Sequence, residues 1–255
     1  MLEHYKKTDY DFIIKAKDWI KQVNYRQTIR LTNFLNPNEQ KIIEALLNKE
    51  PEVSILFEGG FTNSERKRAI IFPAYMDVDD FEFKISGFKI QFSSKEQIPE
   101  HRQILGSLMA LKINRALIGD IVFLPNDEIF FAICEEFSLF IEENFTMLNH
   151  YPITLIETNI QSIEKNNDFE AFDIIISSLR LDVLVATLIN ASRSKANDYI
   201  KQGFIQKNHS IEKNVSHVCQ IGDIISVKGF GRFKIIKQKK TTKNNKLVIT
   251  MGKAI

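Results

Sequence analysis

Arg193, Asn197 and Lys201 recur every fourth residue, Lys195 lies at the margin of the same stripe, and Ser192 stands directly ahead of it. Four-residue spacing places side chains on one face of a helix, and Ser is a favoured N-cap. The segment therefore reads as a cationic face that begins at a helix N-terminus. Such an end offers unpaired N–H groups and partial positive charge, which suits a phosphate. Arg193 can grip that phosphate in two places, while Arg180, Lys195 and Lys201 extend the positive surface. A lone run of lysines is more often a solvated face, so the charge map of the whole chain decides the reading. Residues 179–255 hold fifteen Lys and Arg against four acids, net +11, whereas residues 1–178 hold 19 against 28, net −9. A small, strongly basic segment attracts a polyanion through counterion release, and nucleic acid is the first such partner. Few aromatic residues sit among these cations in sequence, so docking on structured RNA is expected ahead of stacking on single strands.

No catalytic constellation stands beside this face. His4, His101, His150, His209 and His217 are scattered without metal-ligand spacing, and neither a Walker loop nor a G-x-S-x-G elbow occurs. Asp77, Asp79 and Asp80 do not complete a calcium loop, and Glu142 and Glu143 are adjacent on a helical segment, where neighbours face apart. Gly59-Gly60 and Gly229-Phe230-Gly231 lack the rest of a nucleotide-binding fingerprint. Cys134 and Cys219 are too few for a metal site or a disulfide framework and read as small apolar side chains. No metal or cofactor is expected. Residues 1–10 carry Glu3, Lys6, Lys7 and Asp9 without an apolar run of signal-peptide length, so a cytoplasmic protein that avoids membranes is expected.

The elements that position the basic face follow from periodicity. Leu181, Leu184, Val185, Leu188 and Ile189 form an apolar stripe over about 181–190. Asn190-Ala191-Ser192 interrupts it, and Gly203 closes a second helix that buries Ala196, Tyr199 and Ile200. Short strands follow between Asn208, Gly222-Asp223 and Gly229. Upstream, Ile13, Ile14 and Ile20 predict one helix, and Asn36-Pro37-Asn38-Glu39 opens another with a cap, a first-turn proline and an early acid. The runs 53–57 and 69–72 read as paired strands joined by an exposed charged segment, 63–68. Alternation at Phe81, Phe83 and Ile85, then Phe88, Ile90 and Phe92, predicts strands. A helix is expected over 104–117, a hairpin at Pro125-Asn126-Asp127, and a helix over 135–145. Residues 161–168 read as a linker before a strand at 172–176.

Arg180-Leu181-Asp182, Ser192-Arg193, Ala196, Ile200, Gly203-Phe204-Ile205, Lys207-Asn208 and Gly222-Asp223-Ile224 resemble the S4 RNA-binding domain over about 179–228. Where that family often has Asn-Gly, this chain has Asn208-His209, so a differently shaped turn is expected there. The resemblance extends to the whole chain. Leu31-Thr32-Asn33-Phe34-Leu35-Asn36-Pro37, Gly59-Gly60-Phe61, Glu65-Arg66-Lys67-Arg68-Ala69, Ile104-Leu105-Gly106-Ser107-Leu108-Met109 and Ile118-Gly119-Asp120-Ile121 are similar to YlmH-type S4-domain proteins.

That resemblance implies an α+β chain: a helical region with a strand pair (1–75), an RRM-like RNA-binding domain (76–158), a linker and strand (159–178) and an S4 domain (179–255). It implies a non-enzymatic protein that docks on rRNA of the large ribosomal subunit and on tRNA, acts in rescue of stalled translation, and meets ribosomal or quality-control proteins. The RNA contacts expected are Arg180, Ser192, Arg193, Lys195, Asn197, Lys201, Lys207, Lys228 and Arg232. Arg66, Lys67, Arg68 and Arg115 form a secondary candidate set. An rRNA-modifying enzyme and a cell-division adaptor stay open as alternatives. Arg-Leu-Asp also occurs as a catalytic motif in pseudouridine synthases, but only 73 residues follow Asp182, too few for that catalytic domain.

Overall fold

The computed structural model describes residues 6–77, 81–92, 99–165, 169–242 and 245–254. Most of the acidic stretch 77–80, the end of the linker 161–168 and Lys243 lie outside the described residues. The chain forms two compact units, Asp11–Asn166 and Met1–Tyr10 with Asn167–Ile255. Helices and antiparallel sheets alternate, an α+β composition.

The first unit opens with α1 (Tyr10–Arg26), whose Ile13, Ala16, Ile20 and Val23 recur at helical spacing and are buried with Trp19. Next come β1 (Arg30–Leu31) and α2 (Pro37–Leu47). The expected cap forms: Asn36 Oδ1 accepts from the N–H groups of Asn38 and Glu39, and Glu39 accepts from Asn36 N at 2.7 Å. Strands β2 (Val53–Glu58) and β3 (Arg68–Pro73) pair as expected, and β1, which the sequence did not reveal, completes the order β1-β3-β2. Trp19, Ile20, Ile43 and Ile71 share the core between helices and sheet.

A second sheet follows within the same unit. Its elements are β4 (Ile85–Phe92), α3 (His101–Ala110), β5 (Ile118–Phe123), β6 (Ile129–Cys134), α4 (Ser138–Asn144), β7 (Met147–Leu148) and β8 (Tyr151–Glu157). The strand order is β5-β6-β4-β8-β7, and the main elements run βαββαβ along the chain. Two expectations need correction. Residues 81–84 form no strand, and Phe81 instead packs edge-on against Phe72 at 5.2 Å. Helix α3 ends at Ala110 because Lys112 takes a left-handed φ of 60°; a 3-10 turn, Arg115–Leu117, covers the rest.

Both faces of this sheet are closed. Phe88, Ile90, Ile129, Phe131 and Ile133 pack with Ile104 and Leu108 of α3 and Ile141 of α4. The alternate residues Val122, Phe130, Ala132 and Cys134 pack with Phe34, Phe61 and Ile160. A Cβ at Gly119 would lie 2.8 Å from the Phe34 ring, and one at Gly87 would lie 2.5 Å from Ile160. These two glycines admit the covering side chains.

The second unit is built on a six-stranded sheet and two helices. In chain order they are β9 (Phe169–Ile176), α5 (Leu181–Leu188), α6 (Arg193–Lys201), β10 (Ile205–Lys207), β11 (Ser210–Ile211), β12 (Ile224–Val227), β13 (Gly231–Thr241) and β14 (Leu247–Ala254). The order is β11-β10-β12-β13-β14-β9. Strand β9 pairs with β14 along its whole length and buries Ile174 and Ile176 in the core of this unit. The strand expected at 172–176 is thus part of the sheet.

Both helices end in the same way. After α5, Asn190 (φ 50°) donates to Thr187 O and Ala191 to Ala186 O; after α6, Gly203 (φ 79°) donates to Ile200 O and Phe204 to Tyr199 O. These are Schellman caps, with Asn or Gly at the left-handed position. The β10–β11 turn corrects another expectation. Asn208 and His209 both take positive φ, 51° and 69°, the two-residue turn that Asn-Gly favours, so His here tolerates the left-handed geometry. At the N-terminus, Lys6 pairs with Glu212 at 2.9 Å and Ser210 Oγ donates to Asp9 at 3.3 Å, tying the first described turn to β11.

Candidate nucleic-acid interface

The α5–α6 pair turns the cationic stripe into a defined geometry. Ser192 caps α6, accepting from Lys195 N at 3.3 Å. Arg193 and Arg180, thirteen positions apart, converge on one carboxylate: Asp182 Oδ2 accepts from Arg193 Nη2 at 2.5 Å, and Asp182 also accepts from Arg180 Nε and Nη2 at 3.1 Å each. Asp182 is 2% exposed. Burial would raise its carboxyl pKa, but the hydrogen bonds from Arg180 and Arg193 outweigh that and hold it below the ordinary carboxylate value. Arg180 Nη2 also bonds Ser216 Oγ at 3.1 Å. Arg193 remains mostly exposed, its side chain at 60%. A buried anion thus orients two guanidinium groups, one of which faces solvent.

The other acids are withdrawn in the same manner. Of the four in residues 179–255, Asp182, Glu212 and Asp223 are buried and only Asp198 is exposed. Glu212 is paired with Lys6. Asp223 accepts from Gln220 N at 2.7 Å and Asn208 Nδ2 at 2.8 Å and pairs with Lys207 at 3.1 Å, which explains the Gly222-Asp223 signature as a knot between β10 and β12. With three of its four acids buried, the surface of this segment is dominated by cations. Lys195, Lys201, Lys228, Lys237, Lys239 and Lys240 are exposed, and Arg232 is half-buried.

Two expected contacts are partly withdrawn from solvent. Lys207 is largely buried against Asp223 and stabilises the fold. Asn197 is half-buried, and its Oδ1 is buried without a hydrogen-bond partner among the described residues, so it does not share the exposed stripe with Arg193 and Lys201.

The secondary set is spent largely on internal partners. Arg68 is 2% exposed, donates to Thr32 O and Lys84 O, and makes a two-point pair with Glu136 at 2.9 and 3.0 Å. Arg66 donates to Ile118 O and Phe34 O at 3.0 Å, and burial lowers its pKa against the pull of Glu39, Asp120 and Glu65. Arg115 donates to Ile118 O at 2.5 Å. These arginines hold carbonyls between the N-terminal region and the second sheet of their own unit, because a guanidinium carries enough donors to satisfy several buried acceptors at once. Lys67 is half-buried in the same segment, so no exposed cationic cluster forms there.

Among the described residues no group of three His, Cys, Asp or Glu side chains could hold a metal, and no helix is long and apolar enough to cross a membrane. Burial pushes the Cys134 thiol to about 11 and that of Cys219 to about 12, which keeps both protonated at neutral pH.

Comparison with known proteins adds the following. Residues 8–76 match the family model described as "YlmH, N-terminal", and residues 78–162 match "Putative RNA-binding domain in YlmH". The chain is 30% identical over 249 residues to the "Ribosome-associated protein quality control protein P2" of Bacillus subtilis (strain 168), covering 97% of this chain and 96% of that protein. A solved structure, "Cell division protein ylmH from Streptococcus pneumoniae", is similar with a TM-score of 0.54 at 24% identity, over 61% of this chain and 93% of that one. At that identity the likeness concerns the fold.

Proposed function

The chain belongs to the YlmH family, and on that footing we propose that it is a non-enzymatic RNA-binding protein of the large ribosomal subunit, acting in quality control of stalled translation. Its B. subtilis relative is named as ribosome-associated and as a quality-control protein. In this reading the C-terminal unit is an S4-type domain whose α5–α6 pair docks on folded rRNA, with tRNA as a second ligand. The observation that carries it is the Arg180–Asp182–Arg193 arrangement at the start of α6, in a segment whose acids are mostly buried. Arg193, Lys195, Lys201 and Lys228 are the contacts proposed, with Arg180 bound to the same Asp182 carboxylate as Arg193.

The second sheet has the βαββαβ order of an RRM-like domain, yet in this reading it does not bind bases as RRM sheets do. Its free face would have to be open for stacking, and Phe34, Phe61 and Ile160 cover it. In this reading RNA contact is concentrated in the second unit.

Sedimentation of cell extract tests the proposal. The protein should travel with large subunits at low salt and leave them at high salt, because phosphate contacts weaken steeply with salt. Absence from the particle at low salt contradicts it. Unchanged rRNA modification in a deletion strain separates this role from that of a modifying enzyme.

A further inference from the structure

Two aromatic residues at the end of α6 meet a third, distant in sequence, beside the cationic face. Tyr199 packs edge-on against Phe204, ring centres 5.6 Å apart, and against Phe230 at 6.1 Å. The first contact follows from the cap of α6, since the residues flanking a Schellman turn habitually touch. Nothing in the cap or the core requires Phe230. It stands in the turn between β12 and β13, flanked by Gly229 (φ 83°) and Gly231 (φ 114°), and is 40% exposed.

The cluster is pinned by main-chain bonds. Phe204 N donates to Tyr199 O, Lys228 N to Phe204 O, and Phe230 N to Val227 O, each at 3.0 Å. Lys228 Nζ lies 4.8 Å from the centre of the Phe204 ring. The 40%-exposed Phe230 ring thus joins through Tyr199 a cluster whose Phe204 ring lies under the exposed Lys228 ammonium, with Lys201 three residues before Phe204.

Resting on the RNA-binding reading above, we propose that Phe230, backed by Tyr199 and Phe204, stacks on one unpaired base of the bound RNA, while Lys228 meets the adjoining phosphate. A nucleobase is flat, carries a π-face and brings its own anion, so it matches a ring beside a cation. The single exposed ring offers too little apolar area for a lipid or an apolar peptide, and the charge around it favours a polyanion. The site adds base contact to an interface that otherwise recognises backbone and shape.

The test uses the full chain and two RNA probes, a continuous duplex and the same duplex with one bulged 2-aminopurine. Wild type should prefer the bulged probe and quench its emission on binding. Phe230→Leu, which keeps apolar volume, should lose about tenfold on the bulged probe and nothing on the duplex, and Phe230→Tyr should retain the preference. Equal binding of both probes by wild type, or binding without quenching, overturns the stacking site while leaving the phosphate interface standing. Should Phe230→Leu melt at lower temperature, the wild-type quench decides alone. If wild type binds neither probe, the RNA-binding reading fails and this inference with it.

Discussion

Arg193 donates to Asp182 at 2.5 Å from the opposite side of the α5–α6 turn, so the residue at the N-terminus of one helix is steered by a buried acid of the other. Asp182 also accepts from Arg180, so one carboxylate orders two cations. Asp182→Asn keeps the shape and removes the charge. It should weaken RNA binding by about three- to tenfold and cost roughly 1–3 kcal/mol of stability, since hydrogen bonds to a buried charged group are lost. Binding isotherms and denaturant melts measure both. Unchanged binding with unchanged stability would mean that the carboxylate does not position the arginines.

Acid should loosen the second unit. The carboxyl groups of Asp182, Glu212 and Asp223 are all lowered in the fold; in each, burial opposes the shift and the hydrogen bonds prevail. A depressed folded pKa stabilises the native state above the ordinary values, 3.8 for Asp and 4.5 for Glu, and that stability fades as pH falls through the lower folded values. Denaturant midpoints should therefore be flat near neutrality and drop below about pH 4.5. The triple substitution to Asn, Gln and Asn should flatten that drop, and an unaltered acid limb would argue against these pairs.

Arg68→Ala separates structural from binding arginines. The guanidinium is buried and satisfies Thr32 O, Lys84 O and Glu136, so its loss should cost about 3 kcal/mol. Below the melting transition, RNA affinity should match wild type. A loss of affinity in the folded variant would restore this segment as an RNA contact.

Gly203→Ala tests the cap beneath the aromatic cluster. An added Cβ meets Ile211 and Lys213 at an ordinary 3.5 Å, so the penalty is conformational and comes from the φ of 79°. A left-handed alanine costs roughly 1–2 kcal/mol. A melting temperature equal to wild type would show that the chain relaxes out of that conformation.

Local signals made much of this fold legible. Asn36, Pro37 and Glu39 announce α2, Ser192 and Gly203 bracket α6, and Pro125-Asn126-Asp127 marks its hairpin, because caps and turns are written in adjacent residues. The exposure of Arg193 and Lys201 was readable for the same reason, their spacing being that of a helix, although Asn197 at the same spacing is half-buried. What escaped depends on partners far along the chain. Arg66 and Arg68 look solvated until Glu136 and the carbonyls of Phe34, Thr32 and Ile118 are brought to them. Strand β1 is two residues long and too short for any period to register. Asp182 reads as an ordinary first-turn acid until Arg193 folds back onto it. The meeting of Tyr199, Phe204 and Phe230 was likewise hidden, since only the turn between β12 and β13 returns Phe230 to α6.

Salt dependence of binding to purified large subunits, wild type against Arg193→Glu with Lys195→Glu, decides whether the N-terminal end of α6 meets RNA. Neutralising about five phosphates gives a log–log slope of roughly −3.5 on the single-strand coefficient and about −4.5 on duplex, and the double variant should bind at least about tenfold more weakly with a shallower slope, while melting somewhat lower because Arg193 gives up its bond to the buried Asp182. Equal affinity and equal slope for the two folded proteins would place the RNA contact elsewhere and contradict the account.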